Sequence, residues 1–116
     1  MSINPINGDF AYPAGSVICI YTPKENKQSK FLFSSTQRSF SCLTYSHNGK
    51  YLAAGEGALR QPEITIWEID LNGNYEEYKH LKGHKYGIES VLFSPNLEYL
   101  ISLGDNNDRG LFVWDW

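Results

Sequence analysis

Two stretches of this 116-residue chain lie over one another when the sequence is shifted by 48 positions. FSCLTYSHNGKYLAAG (Phe40–Gly55) matches IESVLFSPNLEYLISL (Ile88–Leu103). The shift pairs Phe40 with Ile88, Leu43 with Val91, Tyr45 with Phe93, Ser46 with Ser94, Asn48 with Asn96, Tyr51 with Tyr99 and Leu52 with Leu100. Farther along, ITIWEI (Ile64–Ile69) falls on LFVWDW at an offset of 47, so the intervening loop has lost one residue. A fixed period of this size marks a repeat architecture, in which each unit buries its faces only against its neighbours. Whatever this chain folds into is built by stacking.

Each unit reads as strand, tight turn, strand, loop, strand. CLTYS and SVLFS alternate and carry β-formers, while HNGK is a turn by its Asn-Gly and PNLE a turn opened by Pro. YLAAG and YLISLG give the second strand, each closed by Gly, and EITIWEID and GLFVWDW the third. Between the units, LNGN is another Asn-Gly turn and YEEYKHLK a polar fourth strand, suited to an outer sheet edge where charge discourages stray pairing. In the N-terminal third, FAYPAG, SVICIYTP and SKFLFSS take the second, third and fourth strand positions. No apolar run repeats at helical spacing. The expectation is all-β, with about two and a half four-stranded antiparallel units. Residues 1–36 form the trailing strands of a first unit, 37–83 a complete one, and 84–116 three strands of the next.

The terminal GLFVWDW alternates with two apolar faces, as a strand does when sheets lie on both sides of it. A high aromatic share, 15%, points the same way, because flat rings pack well on pleated surfaces. The net charge of −3 argues against nucleic acid as a partner, and the interrupted KENKQSK cluster reads as a solvated loop. SVICIY is far too short to span a bilayer, and MSINPINGDF has neither the basic start nor the apolar stretch of a signal peptide. Cys19 and Cys42 sit in apolar runs without CxxC spacing and read as buried reduced thiols. With no Asn-x-Ser/Thr acceptor, the expected location is cytoplasmic.

The order Gly83-His84, VLFSPN, YLISLG and VWD (Val113–Asp115) resembles the signature of the WD-repeat β-propeller family. In that family a His, a Ser or Thr, an Asp and a Trp form a buried hydrogen-bonded chain, and the resemblance carries these structural roles to His84, Ser102, Asp108 and Trp114. Burying such groups unpaired would be costly, so they are expected to satisfy one another. The preceding unit departs from the pattern: Thr36, Ala54 and Gln61 replace the His, Ser and Asp, and Trp67 alone survives. Ordinary packing is expected there.

AYPAGSVICIYTPKENKQ, SHNGKYLAAGEG, ITIWEI and GHKYGIESVLFSPNLEYLIS are more specific. They are similar to the N-terminal propeller of the WD-repeat subfamily that holds the mitogen-activated protein kinase-binding protein and its spindle-pole, microcephaly-linked paralogue. The resemblance implies a non-catalytic protein-interaction scaffold of kinase-signalling, spindle-pole, centrosomal or ciliary type, with a cytoplasmic or cytoskeletal location. Protein partners are expected, without nucleic acid, membrane or cofactor.

Other chemistry is weakly signalled. His80 and His84 have a metal-pair spacing only on a helix, and His47 is a turn residue. GEGALR lacks the helix a phosphate loop needs, and Asp105 and Asp108 in GDNNDRG lack the other ligands of a calcium loop. No metal site is expected. Loops entering the first strands and loops between second and third strands share one end of a propeller. There Arg60, Lys85, Tyr86 and Asn107 are the candidate partner-binding residues, because Tyr and Arg combine large contact area with a polar handle.

Two and a half units leave sheet faces bare, so the chain is expected to be a fragment of a longer propeller whose further blades cover them. The alternatives are a short protein that completes its ring by self-association, and a small enzyme using His84 and Asp108 as an acid–base pair.

Overall fold

The computed structural model describes residues 2–23, 27–33, 38–57, 61–70, 73–105 and 110–116, with the backbone alone over 27–29. Among the described residues there are eleven strands and no helix, and the strands form three antiparallel sheets. The first sheet runs in the order β1 (Ser2–Ile3), β2 (Phe10–Ala14), β3 (Val17–Thr22) and β4 (Lys27–Phe33). The second runs β5 (Phe40–Tyr45), β6 (Tyr51–Glu56), β7 (Glu63–Ile69), β8 (Tyr75–Lys82). The third contains β9 (Ile88–Phe93), β10 (Tyr99–Gly104) and β11 (Leu111–Asp115), with β10 in the middle. The sequence gives no sign of β1, which pairs Ser2 with Ala11 and Ile3 with Phe10. Two residues are too few to display alternation.

The sequence repeat is a repeat of register. Leu43 faces Ala54 and Leu52 faces Trp67 in the second sheet; Val91 faces Ser102 and Leu100 faces Trp114 in the third. The turns repeat atom by atom. Ser46 N–H donates to Tyr51 O and Ser94 N–H to Tyr99 O, both at 2.8 Å. The hydroxyls of Ser46 and Ser94 accept from Tyr51 N–H and Tyr99 N–H, both at 3.0 Å, and donate to the carboxamide oxygens of Asn48 at 2.6 Å and Asn96 at 2.7 Å. Asn4 N–H repeats the same backbone bond to Asp9 O at 2.8 Å, so the first sheet opens with a relative of this turn.

Alternation along the middle sheet supplies two cores. Leu52, Ala54, Trp67 and Ile69 join Ala11, Ile18, Ile20 and Leu32 of the first sheet. Ala53, Ile64 and Ile66 join Ile88, Val91, Phe93 and Leu100 of the third. Strand β5 lies against β9 on one side and against β1 and β2 on the other, so the first strands stack along one edge of the assembly. β8 is exposed along nearly its whole length, as its charged sequence requires of an outer strand.

The Tyr45 and Tyr75 hydroxyls meet at 2.8 Å between the two edge strands of the middle sheet. Burial pushes both hydroxyls up, Tyr75 to about 12, and the Asp9 carboxylate adds to the effect. Cys19 and Cys42 are free thiols. Cys19 is buried, whereas Cys42 is only half-buried, and desolvation raises its pKa.

Candidate functional site

Two arrangements of polar side chains occupy the end of the stack where β5, β7 and β9 begin and β6 and β8 finish. The first is buried. Trp114 Nε1 donates to Ser102 Oγ at 2.7 Å, and Ser102 Oγ lies 2.7 Å from His84 Nε2. Ser102 is fully buried and His84 3% exposed. The proton count sets a direction. An indole N–H can only donate, so Ser102 accepts from it; the buried hydroxyl proton then finds its acceptor in His84 Nε2, with the ring proton on Nδ1.

Packing fixes this geometry. Phe112 meets the His84 ring edge-to-face at 4.3 Å, and a Cβ on Gly83 would come within 2.8 Å of the Trp114 indole. Only a residue without a side chain lets the chain pass this close to the ring, which is the physical reason for a Gly immediately before the His. Asp108 lies outside the described residues, so the structure joins His84, Ser102 and Trp114 of the four residues singled out. In the middle sheet Ala54 and Trp67 are buried with Phe40, whose ring meets the Trp67 indole at 5.9 Å and 63°. Thr36 lies outside the described residues, and Gln61 is exposed with φ +47°.

The remaining His do not converge on His84. His80 Nδ1 lies 3.3 Å from Thr65 Oγ1 and 3.6 Å from a Glu63 carboxylate oxygen, and His47 is exposed in its turn. Among the described residues no three His, Cys, Asp or Glu gather as a metal site would require.

The second arrangement is open to solvent. A depression of about 500 Å3 is lined by Arg38, Gln61, Pro62, Glu63, Lys82, Gly83, His84 and Lys85. An adjoining one of about 610 Å3 shares Arg38, Gln61 and Lys85 and adds Tyr86. Lys85 and Tyr86 are exposed in the β8–β9 loop. Arg60 and Asn107 lie outside the described residues. Backbone bonds tie the loops together: Gln61 N–H donates to Lys85 O at 3.0 Å, Gly57 N–H to Ser39 O at 2.9 Å, and Asp105 N–H to Gly87 O at 2.8 Å. Arg38 Nη1 donates to Gln61 O at 2.9 Å, joining the loop before β5 to the loop before β7.

Arg38 and Lys82 were not among the residues singled out from sequence. A signal for Arg38 was present, because the 48-residue shift lays it on Tyr86. Lys82 gives none, being one more charge on a polar outer strand.

The model of the WD domain, G-beta repeat, matches residues 75–115, from β8 to β11. The chain is similar to WD repeat-containing protein 62 of Mus musculus, 40% identical over 88 residues that cover 76% of this chain and 5% of that protein. It is similar to Cilia- and flagella-associated protein 52 of Sus scrofa, 33% identical over 116 residues, 98% of this chain and 18% of that protein. Mitogen-activated protein kinase-binding protein 1 of Mus musculus is 34% identical over 88 residues, 76% of this chain and 6% of that protein. This chain therefore spans less than a fifth of each of these relatives. A repeat match over β8–β11, together with these similarities, on a stack of antiparallel sheets that repeats its own register, places the chain in the WD-repeat family.

Proposed function

We propose that this chain is a non-catalytic part of a protein-interaction scaffold that binds its partners through the loop end, with Lys85 and Tyr86 in the contact surface. WD-repeat relatives support the scaffold role in general. The observation that carries the reading is the division of polar groups at this end. His84, Ser102 and Trp114 spend their hydrogen bonds on one another behind Phe112, whereas Lys85 and Tyr86 stand exposed on loops pinned by backbone bonds. A pinned loop loses little entropy on binding, which favours recognition. A His 3% exposed, with Nε2 engaged by Ser102, offers no open face for acid–base work on a substrate. Further blades cover the outer faces of the first and third sheets.

The setting we propose is cytoskeletal, in cilia or at spindle poles, or in kinase signalling. It rests on similarity to proteins named for cilia and flagella and for kinase binding. In ciliated cells, the full-length protein carrying Lys85→Ala and Tyr86→Ala is expected to keep its abundance and lose part of its proximity-labelled neighbours. An unchanged set of neighbours and an unchanged location would overturn the assignment of this face.

A further inference from the structure

From the charge and shape of the loop end, we infer that its groove takes an acidic segment of a partner protein, with side-chain carboxylates or a phosphate seated between Arg38, Lys82 and Lys85. This rests on the reading of the loop end as the interaction face and adds the chemistry of what it binds.

The two depressions share Arg38, Gln61 and Lys85 and so adjoin as one grooved surface. Among the described residues, three cations line it against one carboxylate, Glu63. Glu63 is already engaged: Lys82 Nζ lies 3.2 Å from Oε1, and His80 Nδ1 3.6 Å from Oε2. The buried Glu56 accepts the Glu63 backbone N–H at 2.8 Å and lines neither depression. Asp105 lies against Gly87, beyond Tyr86, and lines neither. The positive sign is local, since the whole chain carries a net −3. A basic groove on an acidic molecule is a feature of that place and not of the composition.

Two of the cations sit on segments tied to one another. Arg38 is fixed by its bond to Gln61 O, and the Lys85 backbone by its bond from Gln61 N–H. Among the described residues Lys85 has no carboxylate partner, so it meets an incoming anion without first breaking an ion pair. Tyr86, at the rim, adds a half-exposed ring and a hydroxyl donor. Cations gathered around a concave surface favour anionic groups more than scattered surface lysines do.

The test uses the full-length protein and fluorescence anisotropy with a labelled Glu-rich peptide, its Gln counterpart and a phosphoserine version. The Glu-rich or the phosphoserine peptide is expected to bind in a salt-sensitive way, and comparing them identifies which anion the groove prefers. Lys85→Gln should weaken that binding by about threefold and Lys85→Glu by about tenfold, with the thermal melt unchanged. Equal binding of the Gln peptide, or full affinity in Lys85→Glu, would overturn the inference. A benzophenone side chain introduced at Tyr86 separates the two possible failures. Cross-linking to a neutral or basic partner segment would keep the interaction face and reject its acidic specificity. Neither peptide binding nor any cross-link would reject both.

Discussion

Removing one oxygen, in Ser102→Ala, strips partners from a buried and a half-buried side chain at once: His84 Nε2 and the Trp114 indole N–H, each 2.7 Å from that oxygen. The His84 side is the more costly of the two, being 3% exposed with Phe112 packed on its ring. A destabilisation of about 1 to 3 kcal/mol follows, since an orphaned buried group costs roughly that much. Adding Trp114→Phe to Ser102→Ala should cost less than the separate effects combined, because the indole N–H is then gone, and urea denaturation of the variants measures the difference. Additive losses would mean that the three groups do not act as a unit. This chain of groups was legible through the resemblance to the WD-repeat family, which carries its roles to His84, Ser102 and Trp114; residue type and spacing alone do not single them out. The groove was only half legible. Lys85 and Tyr86 stand out beside the Gly-His pair, but Arg38 and Lys82 acquire meaning only when two loops and the end of an outer strand are brought together, and no periodicity reports that.

Among the elements, the turn between first and second strands shows most clearly how one local solution is reused in different surroundings. Gly49 and Leu97 occupy the same place in the repeat and both adopt left-handed backbone, φ +71° and +62°. For an L-residue this conformation costs roughly 1 to 2 kcal/mol, so Leu97 is strained where Gly49 is not. Their neighbours differ as well. A Cβ on Gly49 would sit 2.6 Å from Asn4 Oδ1 and from Ile6 Cγ1, because the first sheet folds over this turn, while Leu97 packs at the margin of the second core. Gly49→Ala should therefore destabilise by about 2 to 4 kcal/mol, combining strain with the displacement of Asn4. Leu97→Gly should change stability by less than about 1 kcal/mol, as released strain offsets lost packing. Equal losses in urea denaturation would refute this account. Asn-Gly made the first of these turns easy to read, and Pro made the second. The strain at Leu97 was hidden, because nothing in PNLE reveals which residue must adopt a positive φ. The two-residue β1 was hidden for a simpler reason: pairing with β2, not its own pattern, makes it a strand.

Taken as a whole, the molecule covers both faces of its middle sheet and only one face of each outer sheet. On the third sheet, Leu92 and Val113 flank Ile101 in register and are 60% and 61% exposed, with Leu111 beside them at 65%. On the first sheet, Phe31 and Phe33 are 50% and 67% exposed. Aromatic contacts fasten the inner interface instead: the Trp116 ring meets Tyr51 at 4.7 Å and Phe93 at 5.4 Å. Interior apolar faces are thus consumed in stacking, and the outer faces of this chain expose side chains of the same apolar kind. Contiguous exposed apolar strands drive association, all the more when the β11 edge offers unpaired backbone groups. The 116-residue chain in isolation should therefore self-associate at micromolar concentration. Leu92→Lys combined with Val113→Lys should weaken that association by about tenfold or more, since each burial is worth roughly 1.5 to 3 kcal/mol. The same pair should leave the melt nearly unchanged, because both side chains point away from the inner core. Sedimentation velocity across a concentration series decides the matter. A wild-type chain that stays monomeric would mean that these exposed faces are tolerated by water and do not drive association.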